Sequence, residues 1–279
     1  MKAKSFLVAG ALVLTLTACG EQTAGEPVTR TEIGSGVDAD QTSKPDTEPT
    51  AIARKNSPCK HVPYNGVQLT HCVANPKDHR IITALGPKGD YYRSFANLAD
   101  SHSTEANSIA FAVNGGMFDT AGAPVGYYVE DGERRRELSR ADGPGNFHMK
   151  PNGVFYGSDT AWRVRPTEDF YANVGDRPRF GTQSGPMLLI DGKFHPDIQQ
   201  DGPSKMIRNG VGVDAQGRAH FVQSEGVISF GLFASFFREV AQAPNALYLD
   251  GNVSALWIPA EDRMDATVPL GPLIVVEKR

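Results

Sequence analysis

Several short apolar runs in this chain stop on side chains that can do chemistry. Ile109–Val113 runs into Asn114-Gly115-Gly116, Ala219–Ser224 into Glu225, and Ala246–Leu249 into Asp250-Gly251. Asp250 and Glu225 are carboxylates able to act as nucleophile, base or acid, and Asn114 carries an amide suited to hydroxyls or phosphate. Arg208 lies just before the apolar run Gly210–Val213, and its planar guanidinium can grip phosphate oxygens two at a time. Each residue also has an ordinary structural reading. Asp-Gly and Asn-Gly are common turns, Glu225 precedes a helix start by one turn, and a surface arginine commonly makes ion pairs.

Shared position would make these groups a site. Ser229 is placed to cap a helix running to about Gln242, with Phe230, Phe233, Phe237, Val240 and Ala241 forming an apolar stripe and Pro244 beyond the end. Strand, helix and strand over 219–249 have the right length for a parallel crossover pair, so Glu225 and Asp250 should leave the sheet at one edge. A second helix, about Ser94–Ala106 with Phe95, Leu98 and Ala99 on one face, feeds Ile109–Val113. Ligands of open α/β sheets bind beyond the carboxyl ends of strands. Further strands are expected at Val67–Val73, Arg80–Ala84, Val125–Val129, Gly153–Tyr156, Met187–Ile190 and Leu273–Glu277. The predicted fold class is α+β: one domain with a mixed, strand-rich sheet and a few packed helices.

The ends of the chain address its location. Lys2 and Lys4, the apolar run Phe6–Leu16 and Leu16-Thr-Ala-Cys19 read as a signal peptide over 1–18 with a lipobox. Cys19 then becomes a lipidated N-terminus that anchors the protein to a membrane. Residues 19–57 read as a polar tether unable to offset its ordering entropy, and 58–279 as one globular domain. The expected location is the periplasmic or extracellular face of a bacterial membrane, the outer membrane in a Gram-negative cell. Cys59 and Cys72 flank Pro63-Tyr-Asn-Gly66, a hairpin signal. A disulfide across that hairpin is expected, worth about 3 kcal/mol by loop closure.

The net charge of −4 and the lack of a basic stripe with interleaved aromatics argue against a nucleic-acid partner. The dense basic run Glu133-Arg-Arg-Arg-Glu137 is bracketed by acids and reads as a solvated loop or hairpin face. Asp214 in Asp-x-x-Gly217 reads as a turn, Asp119 admits either reading, and His102, His148, His195 and His220 stand singly as ordinary histidines.

Five segments in order, AVNGGMFD (112–119), KPNGVFYG (150–157), TQSGPMLLIDG (182–192), IRNGVGVD (207–214) and ALYLDGNVSAL (246–256), resemble the bacterial branch of the phosphodiester glycosidase family. The Cys59/Cys72 hairpin resembles the start of such domains. One departure stands out: Asp250 is followed by Gly-Asn-Val-Ser254 where the family often has Gly-Gly-Gly-Ser, which puts the sugar specificity in question. The resemblance implies hydrolysis of an N-acetylglucosamine-like 1-phosphodiester. The leaving group is then a stabilised anion, so the reaction needs a cation for phosphate, a carboxylate near the anomeric carbon and amides for hydroxyls. Arg208 would take the phosphate, Asp250 would be nucleophile or base with Glu225 as second carboxylate, and Asn114, Gln183, Ser184 and Gly251 would bind substrate. No cofactor is required on this reading.

Rivals are a metal-dependent phosphodiesterase with a divalent ion near Asp250 and a non-catalytic glycan-binding lipoprotein. An EF-hand count through Asp250, Asn252, Ser254 and Glu261 fails at Ala255, where glycine is needed. Ser184 lacks the GxSxG elbow of serine hydrolases.

Overall fold

The structure, a computed structural model, describes residues 57–279 apart from 103–107, 176 and 267. The expected signal peptide, Cys19 and nearly all of the tether lie outside the described residues. Among the described residues, three large antiparallel sheets and the small two-stranded ladder Lys205–Met206 with Ile228–Ser229 form the domain. The largest has seven strands in the order Cys59–Tyr64, Val67–Ala74, Ala219–Ser224, Asn209–Val213, Asn245–Tyr248, Met187–Ile190 and Lys193–Phe194. A five-stranded sheet runs Arg263–Met264, Leu256–Ile258, Ile109–Asn114, Leu273–Lys278, His79–Ala84, and another runs Glu133–Arg136, Tyr128–Glu130, Phe180–Ser184, Gly153–Gly157, Trp162–Pro166.

The α+β class holds, but the mixed sheet does not: every ladder between the described strands of these sheets is antiparallel. The predicted parallel pair is separated by Asn209–Val213, which pairs antiparallel with both Ala219–Ser224 and Asn245–Tyr248. Two strands antiparallel to a common neighbour run the same way. The expected edge therefore survives although the pairing fails.

The sheets meet on an aromatic centre. Phe221 of the large sheet packs edge-on against Phe111 of the second and Phe155 of the third, with centroids at 5.4 and 5.7 Å. Burying each ring contributes roughly 1.5–3 kcal/mol. Each sheet's other face takes a helix. α1 (Phe95–Ser101) buries Phe95 and Leu98 beside Trp257, and α2 (Thr167–Asn173) sets Phe170 against Tyr127 and Tyr156. α3 (Phe230–Glu239) lays Phe233, Phe236 and Phe237 on Leu69, Leu188, Leu189 and Val222.

Ser94 caps α1 and Ser229 caps α3, the latter accepting from the Leu232 amide at 3.2 Å. α3 stops earlier than expected, leaving Val240 exposed. The strand under it carries Gly212 because a Cβ there would lie 2.7 Å from Ala243 Cβ and 2.9 Å from the Phe237 ring. The disulfide joins Cys59 to Cys72, directly opposite each other in a hairpin turned by Asn65-Gly66 at positive φ.

Candidate active site

The site is assembled where the large sheet and the Ile109–Asn114 sheet end together. Asn209 opens one strand of the large sheet and Leu249 follows another, joined by Leu249 N–H donating to Asn209 O at 3.1 Å. From the second sheet, Asn114 Nδ2 donates to Asp250 O at 2.8 Å, while its Oδ1 accepts from Asn209 Nδ2 at 2.7 Å and Ala255 N at 3.0 Å. Asp250 N–H donates to Gly115 O at 3.2 Å. The backbone of Asp250 is thus held by Asn114 and Gly115 of the second sheet, the large sheet holding the preceding Leu249, and the buried Asn114 amide can neither rotate nor leave without orphaning a partner.

Its side chain is left with little. Asp250 Oδ1 accepts the Asn252 N–H at 3.3 Å as cap of the 3-10 turn Gly251–Val253. No cation pairs with it among the described residues. Burial raises its pKa, opposed by the Asn252 amide, so the ionised form is held in an unfavourable place. Tyr248 lies beneath: its hydroxyl sits 1.8 Å from where a Cβ on Gly251 would be, so only glycine fits there. Burial pushes the Tyr248 hydroxyl up; Arg208 opposes the shift and Asp250 adds to it.

Arg208 borders the other side of Tyr248, its guanidinium carbon 5.5 Å from that ring and 3.4 Å from the Phe230 ring. Nε donates to Ile228 O at 2.9 Å, and Nη2 to Ser204 O and Oγ at 2.9 and 3.0 Å. Arg208 also interacts with the Tyr248 hydroxyl, yet Nη1 is buried with no partner of hydrogen-bonding geometry. No carboxylate pairs with this cation among the described residues, and burial lowers its pKa. Its exposure is 0 %: the two-residue ladder Lys205–Met206 with Ile228–Ser229 carries Ile228 O and is flanked by Ser204 and Phe230, the other groups that hold it.

Other expected residues are placed differently. Glu225 is engaged by Arg263, with N–O distances of 2.7 and 3.3 Å, and accepts from Thr70 Oγ1; Arg263 also pairs with Asp265 at 2.9 Å. Gln183 spends its whole amide inside the fold. Oε1 accepts from Tyr127 N and Ser139 N, both at 2.9 Å, and Nε2 donates to Ser139 O and Thr167 Oγ1 at 2.7 and 3.1 Å. Ser184 Oγ is buried and unpartnered. Asp119 holds its own loop through Ala121 N and Ala123 N, each at 3.0 Å. Of the EF-hand count, Glu261 turns away to Ser57 and His61 at 2.6 and 3.0 Å. Among the described residues no three His, Cys, Asp or Glu side chains gather as a metal site.

Tyr248 and Ser254, which border Asp250-Gly251, are not among the residues the sequence points to. Tyr248 reads locally as one more apolar strand residue, and the Ser254 hydroxyl donates to Gly251 O at 2.9 Å, a contact with no sequence signature.

The family model for phosphodiester glycosidases matches residues 107–272, a span that includes Asn114, Arg208, Glu225 and Asp250. The chain belongs to the phosphodiester glycosidase family. It is 34% identical over 184 residues to the uncharacterized protein YigE of Escherichia coli K12, a stretch covering 66% of this chain and 71% of that one. Its fold is similar to the solved catalytic domain of zebrafish N-acetylglucosamine-1-phosphodiester alpha-N-acetylglucosaminidase, auto-inhibited by its pro-peptide. The TM-score there is 0.55 at 15% identity, over 79% of this chain and 82% of that one.

Proposed function

We propose that this protein hydrolyses an N-acetylglucosamine-like 1-phosphodiester in the cell envelope, cleaving the sugar C1–O bond. The observation that carries the reading is Asp250: its backbone is fixed by Asn114 and Gly115, while its half-buried carboxylate has a pKa raised by burial and no cationic partner among the described residues. A buried carboxylate of this kind at a strand end is a functional-site candidate. Ionised, it either attacks the anomeric carbon or removes a proton from the attacking water.

Phosphate departs as a stabilised anion and needs little proton donation. A second free carboxylate is then dispensable, which suits a Glu225 already occupied by Arg263. Arg208 is the phosphate ligand on this reading. Its unpartnered Nη1 awaits an acceptor, and a phosphate reaching it has to displace a ladder only two residues long on each side. The envelope location is supported by the sequence of residues 1–19 and by the Cys59–Cys72 disulfide, a bond that persists in oxidising compartments.

The test is incubation with an α-N-acetylglucosamine 1-phosphodiester, with and without EDTA, followed by product analysis. Free sugar plus a phosphomonoester, formed with EDTA present and lost in Asp250→Asn, is the expected result. Sugar 1-phosphate would instead mean P–O cleavage by a phosphodiesterase, metal-dependent if EDTA abolished it. Binding without turnover in both chains would leave a glycan-binding lipoprotein.

A further inference from the structure

The basic run Arg134–Arg136 has no part in the site above, yet it borders a sizeable cleft. It forms the edge strand Glu133–Arg136, paired only with Tyr128–Glu130. A cleft of about 780 Å³ lies between it and the Leu85–Tyr92 segment, including Lys88 and Tyr91. A second, of about 450 Å³, shares Arg134, Arg135 and Arg136, and a third, of about 350 Å³, shares Arg134 and reaches Tyr171 and Arg177. Each volume suits one small-molecule unit, and Arg134 is common to all three.

The charges divide into spent and unspent. Arg135 is held by Glu130 and by Gly86 O, Arg134 pairs with exposed Glu137 at 3.1 Å, and Arg140 pairs with Glu168 at 2.5 Å while stacking on Tyr171. Lys88, Arg136 and Arg177 have no ion-pair partner among the described residues, and Glu133 is the one unpaired acid set against them. Tyr171 is 63% exposed, more than any other large hydrophobic side chain described. Flat aromatic faces between cations suit sugar rings that alternate with anionic groups.

We propose that this run of clefts binds a phosphate-bearing glycan chain, units joined by phosphodiesters, with Lys88, Arg136 and Arg177 on the phosphates, Arg134 exchanging its weak, exposed pairing with Glu137 for a further phosphate, and Tyr171 against a sugar face. The net charge of −4 sets the patch against an acidic background, which suits local contacts rather than long-range capture of nucleic acid. Binding here does not depend on cleavage at Asp250.

The experiment measures binding of a phosphodiester-linked N-acetylglucosamine oligomer to the full chain carrying Asp250→Asn, so that hydrolysis cannot intervene. Affinity is expected to fall as salt rises towards about 300 mM. It should fall at least about tenfold in Arg134→Ser/Arg136→Ser, since hydrogen bonds to charged groups are among the stronger ones. A neutral N-acetylglucosamine oligomer of equal length should bind at least about tenfold more weakly on the same grounds. The exposed pair Lys88→Ser/Arg177→Ser repeats the test if the first variant does not fold. Unchanged affinity in a folded variant, equal binding of the neutral oligomer, insensitivity to salt, or tighter binding of a single-stranded oligonucleotide of the same charge would each overturn the proposal. Turnover is read separately, so failure of the hydrolase reading would leave this result standing.

Discussion

Two aspartates lie near opposite ends of the Asn209–Val213 strand, and the fold treats them in opposite ways. At one end Asp214 is buried and saturated. It accepts from Gln216 N, Arg218 N and Arg218 Nε at 2.9, 2.8 and 2.6 Å and contacts His220 Nε2 at 3.0 Å; His220 Nδ1 in turn meets His71 Nε2 at 2.9 Å. Burial alone would raise the pKa of Asp214, but His220 and Arg218 outweigh it and the pKa is lowered. At the other end Asp250 has its backbone held as firmly but its carboxylate almost unpaired, and its pKa is raised. Nearby, Arg208 is a buried cation without a carboxylate. One end spends its charges on stability. The other leaves a cation and an anion without partners of opposite charge, the pattern of a candidate site.

The largest expected effect breaks that contrast at Asp250. Asp250→Asn keeps an oxygen for the Asn252 amide but removes the carboxylate proposed as nucleophile or base, so kcat should drop by about 10²–10⁴-fold. Because burial raises the folded pKa, the ionised carboxylate is less stable in the folded chain than in the unfolded one. The stability this group confers is present below its unfolded pKa and lost as pH rises through the folded pKa. At neutral pH the variant should therefore melt higher than the parent, while Asp214→Asn, which weakens a satisfied network, should melt lower. Thermal unfolding of the three chains side by side decides it; a lower melting temperature for Asp250→Asn would remove the contrast.

Asn114 tests the clamp rather than the charge. Asn114→Ala leaves Asn209 Nδ2 and the Ala255 N–H without their acceptor. Each buried orphan costs about 1–3 kcal/mol, so a loss of roughly 2–6 kcal/mol in denaturant unfolding is expected, and kcat should fall because Asp250 is no longer fixed. Unchanged stability would mean that the amide network does not join the two sheets.

Much of this arrangement was legible locally, and the misses share a cause. Ser229 and its apolar stripe located α3, and Asn65-Gly66 located the disulfide hairpin, because caps and turns are written within a few residues. Crossover length correctly gave the common direction of Ala219–Ser224 and Asn245–Tyr248, but it carries no information about a strand lying between them. The insertion of Asn209–Val213 is what turned an expected parallel pair into an antiparallel sheet. Gln183 has the side chain of a sugar ligand, and only Ser139, Tyr127 and Thr167, distant in sequence, show that its amide is consumed. The same holds for Glu225, whose partner Arg263 lies 38 residues away.

The smallest expected effect lies at the saturated end. Burial, then the neighbouring His220, lowers the pKa of His71 from 6.5 to about 4. The folded chain thus binds fewer protons than the unfolded chain between those values, so stability is present above pH 6.5 and lost as pH falls towards about 4. At about 1.4 kcal/mol per pKa unit, the loss for this one group is on the order of 3 kcal/mol before solvent screening. Denaturant midpoints measured across that window should slope downward with acid in the parent and more gently in His71→Gln. His220, whose pKa burial also lowers, supplies the slope that remains. Equal slopes would show that the Asp214–His220–His71 line accepts its protons without strain, and the two ends of the strand would then differ at Asp250 alone.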